Sequence, residues 1–263
     1  MKMTKPIMIK NISLGEGQPK ICVPLTGKTC EELYAGARKA KEAGADLAEW
    51  RADFFEALMD EEKLTEVLKG IAGILAGVPL LFTIRTRAEG GEAEISQEDY
   101  QSVNLSAAKS GCADLIDVEV FSCDRPENLI RKLHDTGTRV IASSHDFQKT
   151  DDRDALLKRF LEMEQTEADI LKMAVMPEEF DDVAAIMQVT SEMVRKHTEK
   201  PVISMAMGGL GSISRIAGEN FGSSVTFATA GAASAPGQFP IHELRTMMEA
   251  LHQKNTSEEN VSL

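Results

Sequence analysis

Residues 168–175 read Ala-Asp-Ile-Leu-Lys-Met-Ala-Val (ADILKMAV), a short apolar run interrupted by a single lysine. Runs of similar length and composition recur along the chain, and polar segments with helical spacing separate them. The repeat is about 30 residues long, which is the size of one strand–helix unit with its loops. The runs lie at 21–25, 45–53, 79–85, 113–121, 139–145, 168–175, 201–207 and 224–228.

Eight strand–helix units in about 250 residues predict an α/β fold of the (β/α)8 barrel type, because strands that alternate with helices pair in parallel. A doubly wound open sheet is the alternative, but no Gly-x-Gly-x-x-Gly motif follows the first run. We expect a single barrel domain over residues 1–263. In it, residues 1–19 form a lid under the N-terminal face of the barrel, and the polar residues 254–263 form a frayed, flexible tail.

The charge of the chain excludes some partners. It carries 29 basic and 42 acidic residues, a formal charge of −13, which argues against general binding to nucleic acid or anionic membranes. The N-terminal sequence lacks the apolar core of a signal peptide, and no apolar run approaches the roughly 20 residues of a membrane helix. Four cysteines without Cys-x-x-Cys spacing favour reduced thiols over zinc or disulfides. We therefore expect a cytoplasmic protein.

Lys172, in the opening stretch, is the most informative polar residue. A barrel of this kind carries its chemistry at the carboxyl ends of its strands, so polar residues in the strands matter more than those in helices. Burial of a strand lysine removes water from its ammonium and favours the neutral amine that forms an imine with a ketone. A structural ion pair with Asp117 or Glu119, from a neighbouring strand, is an equally weighted alternative.

His145 ends the neighbouring apolar run, in VIASSHDF at 140–147. Histidine suits proton transfer near neutral pH, although a lone histidine at a strand end more often satisfies loop backbone groups. Glu89, in the loop after the third strand, is the candidate to orient the ring, and Asp146 is its rival. The other histidines lie in or beside predicted helices and have no comparable setting: His134, His197, His242 and His252.

Two arginines and two methionines follow other strands. Arg85 and Arg215 can each hold a carboxylate through paired hydrogen bonds, with a surface or inter-loop ion pair as the alternative. Met205 and Met207 share one strand face, where they either fill the core or form an apolar pocket wall. The glycine-rich run at 207–212 is only a weak sign of a phosphate-binding loop, because glycine also permits tight turns.

Taken together, these segments resemble the type I 3-dehydroquinate dehydratases of the shikimate pathway along essentially the whole chain. Each motif is modest alone, and their order and their positions at strand ends make the resemblance specific. The motifs are EWRAD at 49–53, FTIRTRAEGG at 82–91, DLIDVEV at 114–120, VIASSHDF at 140–147, ILKMAV at 170–175, SMAMGGLGSISR at 204–215 and SAPGQ at 234–238.

The resemblance implies a (β/α)8 barrel, generally a homodimer, that needs no metal or organic cofactor. It implies dehydration of 3-dehydroquinate in aromatic amino acid biosynthesis, with Lys172 forming the imine, His145 transferring the proton and Glu89 orienting His145. Ser144 departs from the family, which often has Tyr, Asn or His there. The implied substrate contacts, including those that order the loop after the last strand, are Glu49, Arg51, Arg85, Arg215, Ser234 and Gln238.

Two other functions are compatible with parts of this pattern. A class I Schiff-base aldolase on the same barrel would share Lys172 but cleave a carbon–carbon bond, and the pairing of His145 with Glu89 weighs against it. A catalytically inactive barrel used as a binding module would lack at least one of these residue types, and none is missing.

Overall fold

The computed structural model of the chain describes residues 4–231 and 234–259, the last two by their backbone alone. The chain begins with an antiparallel hairpin of β1 (Ile7–Ile9) and β2 (Ile12–Leu14). Within the described residues, eight parallel strands follow: β3 (Lys20–Leu25), β4 (Leu47–Arg51), β5 (Leu80–Thr83), β6 (Leu115–Glu119), β7 (Arg139–Asp146), β8 (Ile170–Val175), β9 (Val202–Ala206) and β10 (Val225–Phe227).

Helices alternate with these strands and cover the outside of the sheet. The last one reaches Glu259, so residues 254–259 continue a helix, while residues 1–3 and 260–263 lie outside the described residues. No helix in the described ranges is both long and apolar enough to cross a membrane. The helices are α1 (Cys30–Glu42), α2 (Glu61–Leu75), α3 (Gln97–Lys109), α4 (Pro126–His134), α5 (Arg153–Glu164), α6 (Phe180–Glu192), α7 (Ser212–Ile216), α8 (Gly218–Phe221) and α9 (Ile241–Glu259).

The sheet runs in the order β10-β3-β4-β5-β6-β7-β8-β9, so neighbours in sequence are neighbours in space. A narrow seam joins the two ends of this order. Ser224 donates its backbone N–H to the Val202 carbonyl at 2.7 Å, and Ser204 donates its own to the Ser223 hydroxyl at 3.1 Å. These contacts close the sheet, and the predicted (β/α)8 barrel is confirmed.

An apolar layer fills the lower end of the barrel, near the start of each strand. Alternate strand residues point inward, and the layer takes one from each strand. Ile9 and Leu14 of the hairpin pack against it from below. The prediction that the N-terminal segment closes this end is therefore confirmed. The layer consists of Cys22, Leu47, Leu81, Leu115, Ile141, Ile170, Ile203 and Val225.

An Ala-Asp pair precedes β4, β6 and β8, and each aspartate ties its strand to the strand before it. One carboxylate oxygen accepts the backbone N–H at or near the start of that preceding strand, which leaves no orphan donor there. These three bonds, each 2.8 Å long, run to Asp46 from Ile21, to Asp114 from Leu80 and to Asp169 from Val140.

Candidate active site

A polar layer lies two residues above the apolar one, because the inward alternation continues along each strand. Lys172 of β8 is 4% exposed and donates to Asp117 at 3.1 Å and to Glu49 at 3.5 Å. Thr83 donates to the same oxygen of Glu49 at 2.9 Å, and the Phe227 ring centroid lies 4.9 Å from the lysine nitrogen. The amine thus points into the barrel, and the predicted ion pair with Asp117 is formed as well.

Arg85 is surrounded by protein carboxylates. Its two terminal nitrogens donate to Asp117 at 2.9 Å and to Glu119 at 2.8 Å, with Glu89 at 3.5 Å and the Ser143 hydroxyl at 3.2 Å. Burial alone lowers the pKa of Arg85, but these carboxylates outweigh it and raise that pKa well above its ordinary value. Arg85 reaches the cavity as predicted, yet its guanidinium is already engaged.

The predicted pair of His145 and Glu89 is present. Oε2 of Glu89 accepts the backbone N–H of His145 at 2.9 Å and lies 3.0 Å from its ring Nδ1. The rival, Asp146, instead accepts the backbone N–H groups of Gln148 and Lys149 and shapes the following turn. Glu89 therefore fixes both the strand end and the ring, which leaves Nε2 to face the cavity.

This pair is electrostatically tuned. Burial, reinforced by the nearby cations, lowers the pKa of His145 well below its ordinary value. Burial also raises the pKa of Glu89 to about 8, with neighbouring carboxylates adding to the effect and Arg85 opposing it. The two groups compete for one proton at neutral pH. Once the pair has lost one proton, the proton that remains lies on Nδ1 and is donated to the ionised carboxylate. Nε2 is then unprotonated and can act as a base.

The remaining arginines differ in their partners. Arg51 is bound by Asp53 through two hydrogen bonds of 2.8 Å. Arg215 is 1% exposed; it donates to the Pro236 carbonyl at 3.0 Å and lies 3.7 Å from the Met205 sulfur. Within residues 4–231 and 234–257 it makes no ion pair, and its Nε has no hydrogen-bond partner. Arg215 is thus the guanidinium open to an anionic ligand.

Within the loop after β10, residues 234–238 border the cavity. Ser234 and Gln238 bond to each other, the amide of Gln238 donating to the serine hydroxyl at 3.1 Å. Gly208 donates its N–H to the Pro236 carbonyl at 3.2 Å. Gly237 has φ +77°, and a Cβ there would lie 2.2 Å from the Gly208 carbonyl oxygen, so only glycine allows this approach.

These groups surround one open cavity, whose empty space, including the part open to solvent, is about 450 Å³. No group of three or more His, Cys, Asp or Glu side chains among the described residues could hold a metal ion. Glu89 lies behind His145 and not in the wall. The predicted residues that line the cavity are Glu49, Arg51, Arg85, His145, Lys172, Met205, Met207, Arg215, Ser234 and Gln238.

Sequence reasoning missed four wall residues: Phe147, Ala174, Phe227 and Ala235. The alternation could have found two of them, since Ala174 is two residues beyond Lys172 and Phe227 occupies the same face of the last strand. Phe147 and Ala235 lie in loops, where no period applies. Ser144, the departure from the family, alternates with inward residues and is buried on the helix side of β7.

A family model described as type I 3-dehydroquinase matches residues 21–255. The chain belongs to the type I 3-dehydroquinase family. This confirms the resemblance and identifies the chain as an enzyme. Two similar proteins are each named 3-dehydroquinate dehydratase. That of Clostridium botulinum (strain Eklund 17B / Type B) is 43% identical, with 95% of this chain and 99% of the relative covered. That of Klebsiella pneumoniae (strain 342) is 43% identical, with 95% and 100% covered.

Solved structures agree with the type I 3-dehydroquinase assignment. The Clostridium difficile type I 3-dehydroquinate dehydratase, determined with covalent modified comenic acid, has a TM-score of 0.92 at 40% identity; 96% of this chain and 100% of that chain are covered. The Geobacillus kaustophilus 3-dehydroquinate dehydratase has a TM-score of 0.93 at 37% identity, with 96% and 99% covered. These likenesses favour dehydration over the aldolase alternative.

Proposed function

We propose that this enzyme removes water from 3-dehydroquinate, giving 3-dehydroshikimate, through an imine on Lys172. The observation that carries the proposal is the set of side chains that line one cavity. It is faced by a buried amine, by a histidine paired with a carboxylate, and by an arginine that has no carboxylate partner among the described residues. Imine formation, proton transfer and recognition of a substrate carboxylate each need one of these groups.

Arg215 binds the substrate carboxylate in this proposal. A bidentate carboxylate would satisfy the buried guanidinium, whose Nε otherwise lacks a partner among the described residues. Arg51 and Arg85 are held by Asp53 and by the carboxylates of β6, so they shape the wall and compensate negative charge. Glu49, Ser234 and Gln238 offer acceptors and donors for the substrate hydroxyls, and Met205 and Met207 form the apolar side.

Imine formation begins when Lys172 gives up a proton to the carboxylates beside it. Asp117 and Glu49 lie at 3.1 and 3.5 Å and can accept that proton. The neutral amine attacks the ketone carbon, and the carbonyl oxygen leaves as water once it has gained two protons. The product is a protonated imine that keeps Lys172 covalently attached to the substrate.

The protonated imine withdraws electrons, which allows the substrate to lose water in two steps. His145 takes a proton from the carbon beside it, and the electron pair moves toward nitrogen to form an enamine. The enamine then expels the hydroxyl two carbons away, and the protonated His145 returns its proton so that water leaves. Glu89, 3.0 Å from Nδ1, stabilises the imidazolium between these steps. Hydrolysis of the imine releases the enone and restores Lys172.

Reduction with borohydride in the presence of 3-dehydroquinate tests this scheme. We expect a stable adduct on Lys172 by peptide mass spectrometry, and formation of the conjugated enone by absorbance when borohydride is omitted. Lys172→Met should form neither, while Lys158→Met, a change at an exposed position on α5, should form both. His145→Ala should still yield adduct but lose turnover by about 10²-fold or more. A wild-type enzyme that yields no adduct would overturn the imine mechanism.

We also propose that the reaction serves aromatic amino acid biosynthesis and that the enzyme acts as a cytoplasmic homodimer, as the family resemblance implies. Light scattering coupled to size exclusion should give twice the chain mass of 28.7 kDa. A mass equal to a single chain at micromolar concentration would contradict the dimer.

A further inference from the structure

The two oxygens of Glu89 have different donors. Oε2 accepts the backbone N–H of His145 at 2.9 Å and lies 3.0 Å from its Nδ1. Oε1 accepts the hydroxyl of Ser122 at 3.1 Å. The Glu89 side chain is only 6% exposed, so its oxygens depend on protein donors. The orientation of the carboxylate toward His145 is therefore fixed from its far side by one hydroxyl.

Ser122 is itself held firmly in the loop after β6. Its backbone N–H donates to the Glu119 carbonyl at 3.2 Å. Gln97, at the start of α3, donates its side-chain amide to the Ser122 carbonyl at 2.7 Å and accepts the Asp124 N–H at 2.9 Å. Three bonds thus fix the backbone that presents the hydroxyl, although the wall of the cavity does not include Ser122.

We propose that Ser122 is a positioning residue for proton transfer, whose hydroxyl holds Glu89 in the ionised state and orientation that make His145 a base. The inference rests on the proposed function and extends it one residue beyond the cavity. Without the hydroxyl, Oε1 would be buried with no donor from the described residues, which disfavours the carboxylate. The proton shared by Glu89 and His145 would then persist to higher pH.

The pH dependence of kcat/KM tests the proposal, because its acid limb reports the free enzyme's base. In Ser122→Ala we expect that limb to move up by about one pH unit, the worth of a hydrogen bond to a charged group. Activity at pH 7 then falls about tenfold and returns toward wild type above the limb. Ser122→Thr, which keeps a hydroxyl, should restore the profile. Ser102→Ala, an exposed serine on α3, should match wild type.

The alternative outcomes are distinct. A loss of activity that is equal at every pH, or no loss in a folded Ser122→Ala, would overturn the role of Ser122. Gln97→Leu provides a second variant, because it releases the loop without touching the hydroxyl, and we expect a smaller shift in the same direction. Borohydride trapping distinguishes a failure of the proposed function from a failure of the inference about Ser122. Wild-type enzyme that forms no adduct refutes the proposed function, whereas normal trapping with an unshifted profile refutes only the inference.

Discussion

Arg215 is a buried cation that makes no ion pair within the described part of the chain. Burial lowers its pKa from the ordinary value to about 10, so the ligand-free enzyme carries a free-energy cost on the order of 3 kcal/mol at this side chain. A carboxylate arriving in the cavity would remove much of that cost. The site is therefore less stable empty than filled, as expected where binding and stability compete.

Arg215→Met should stabilise the ligand-free protein while weakening substrate binding. We expect a rise in the free energy of unfolding of about 1–3 kcal/mol, or several degrees in Tm, because an apolar side chain replaces an uncompensated charge. The KM for 3-dehydroquinate should rise more than about 100-fold, since a charged, bidentate contact is lost. Thermal unfolding and steady-state kinetics measure the two effects.

Arg51→Met is the matched comparison, because Arg51 already has Asp53 as its partner. Its replacement strands a buried carboxylate and should lower Tm instead of raising it. Equal destabilisation by both arginine variants would contradict an energetic cost of the unpaired Arg215 charge.

The residues of the site could be predicted from the sequence, but the hydrogen bonds and ion pairs among them could not. All ten predicted wall residues face the cavity. Strand alternation places Glu49, His145 and Lys172 there, whereas Arg215 comes from helix α7 and Ser234 and Gln238 come from the loop after β10. Which arginine is free could not be foreseen. Arg85 finds its partners on the next strand, more than 30 residues along the chain, and Asp53 adjoins Arg51 only because a turn brings it back.

At the scale of elements, the Ala-Asp pairs act on the face opposite the chemistry. Asp114 accepts the Leu80 N–H at 2.8 Å and also contacts Lys10 at 2.8 Å, so it joins two barrel strands and the N-terminal hairpin. Polar groups at this end of a barrel serve stability, while those at the other end serve catalysis.

Asp114→Ala should therefore lower stability without changing catalysis. The Leu80 N–H would lose its acceptor, and we expect a loss of about 1–3 kcal/mol in urea unfolding. Asp135→Ala, at the exposed end of α4, should leave stability within about 0.5 kcal/mol of wild type. The value of kcat/KM should be unchanged in both variants. A drop in kcat/KM at unchanged stability would show that this end of the barrel communicates with the cavity.

Element boundaries were predictable where the pattern was long. All eight barrel strands fall within their predicted runs or begin one residue earlier, β7 extending one residue beyond its run, because strands covered on both faces are apolar throughout. The bounds of helix α4 were not predicted. This helix has nine residues, with Leu129, Ile130 and Leu133 buried, and two turns give too little periodicity. Its first neighbour, Arg125, has φ +53°, which no local sequence signal indicates.

For the whole molecule, the weakest point of the barrel is the seam between β9 and β10. Strands β7 and β8 pair over six residues, whereas β9 and β10 meet through a single bridge and the hydroxyl of Ser223. Local opening needs the least free energy where the fewest backbone hydrogen bonds must break.

Native-state hydrogen exchange should reveal this seam. We expect the amides of Ser204 and Ser224 to exchange faster than those at the centre of β7 and β8, and Ser223→Ala to accelerate them further by about tenfold. Mass spectrometry of peptides spanning each strand provides the measurement. Equal protection of amides from exchange in all strands would mean that side-chain packing, and not backbone hydrogen bonding, holds β9 and β10 together.

The hairpin β1–β2 and the apolar layer above it also determine from which end small molecules can reach the cavity. Ile9 and Leu14 close the lower end of the barrel, and in the described part of the chain the cavity opens at the other end, beside residues 234–238. In the proposed reaction, the substrate, the enone and the expelled water would all pass through that opening. In the proposed reaction, each product molecule must therefore leave through this opening before the next substrate molecule can reach Lys172.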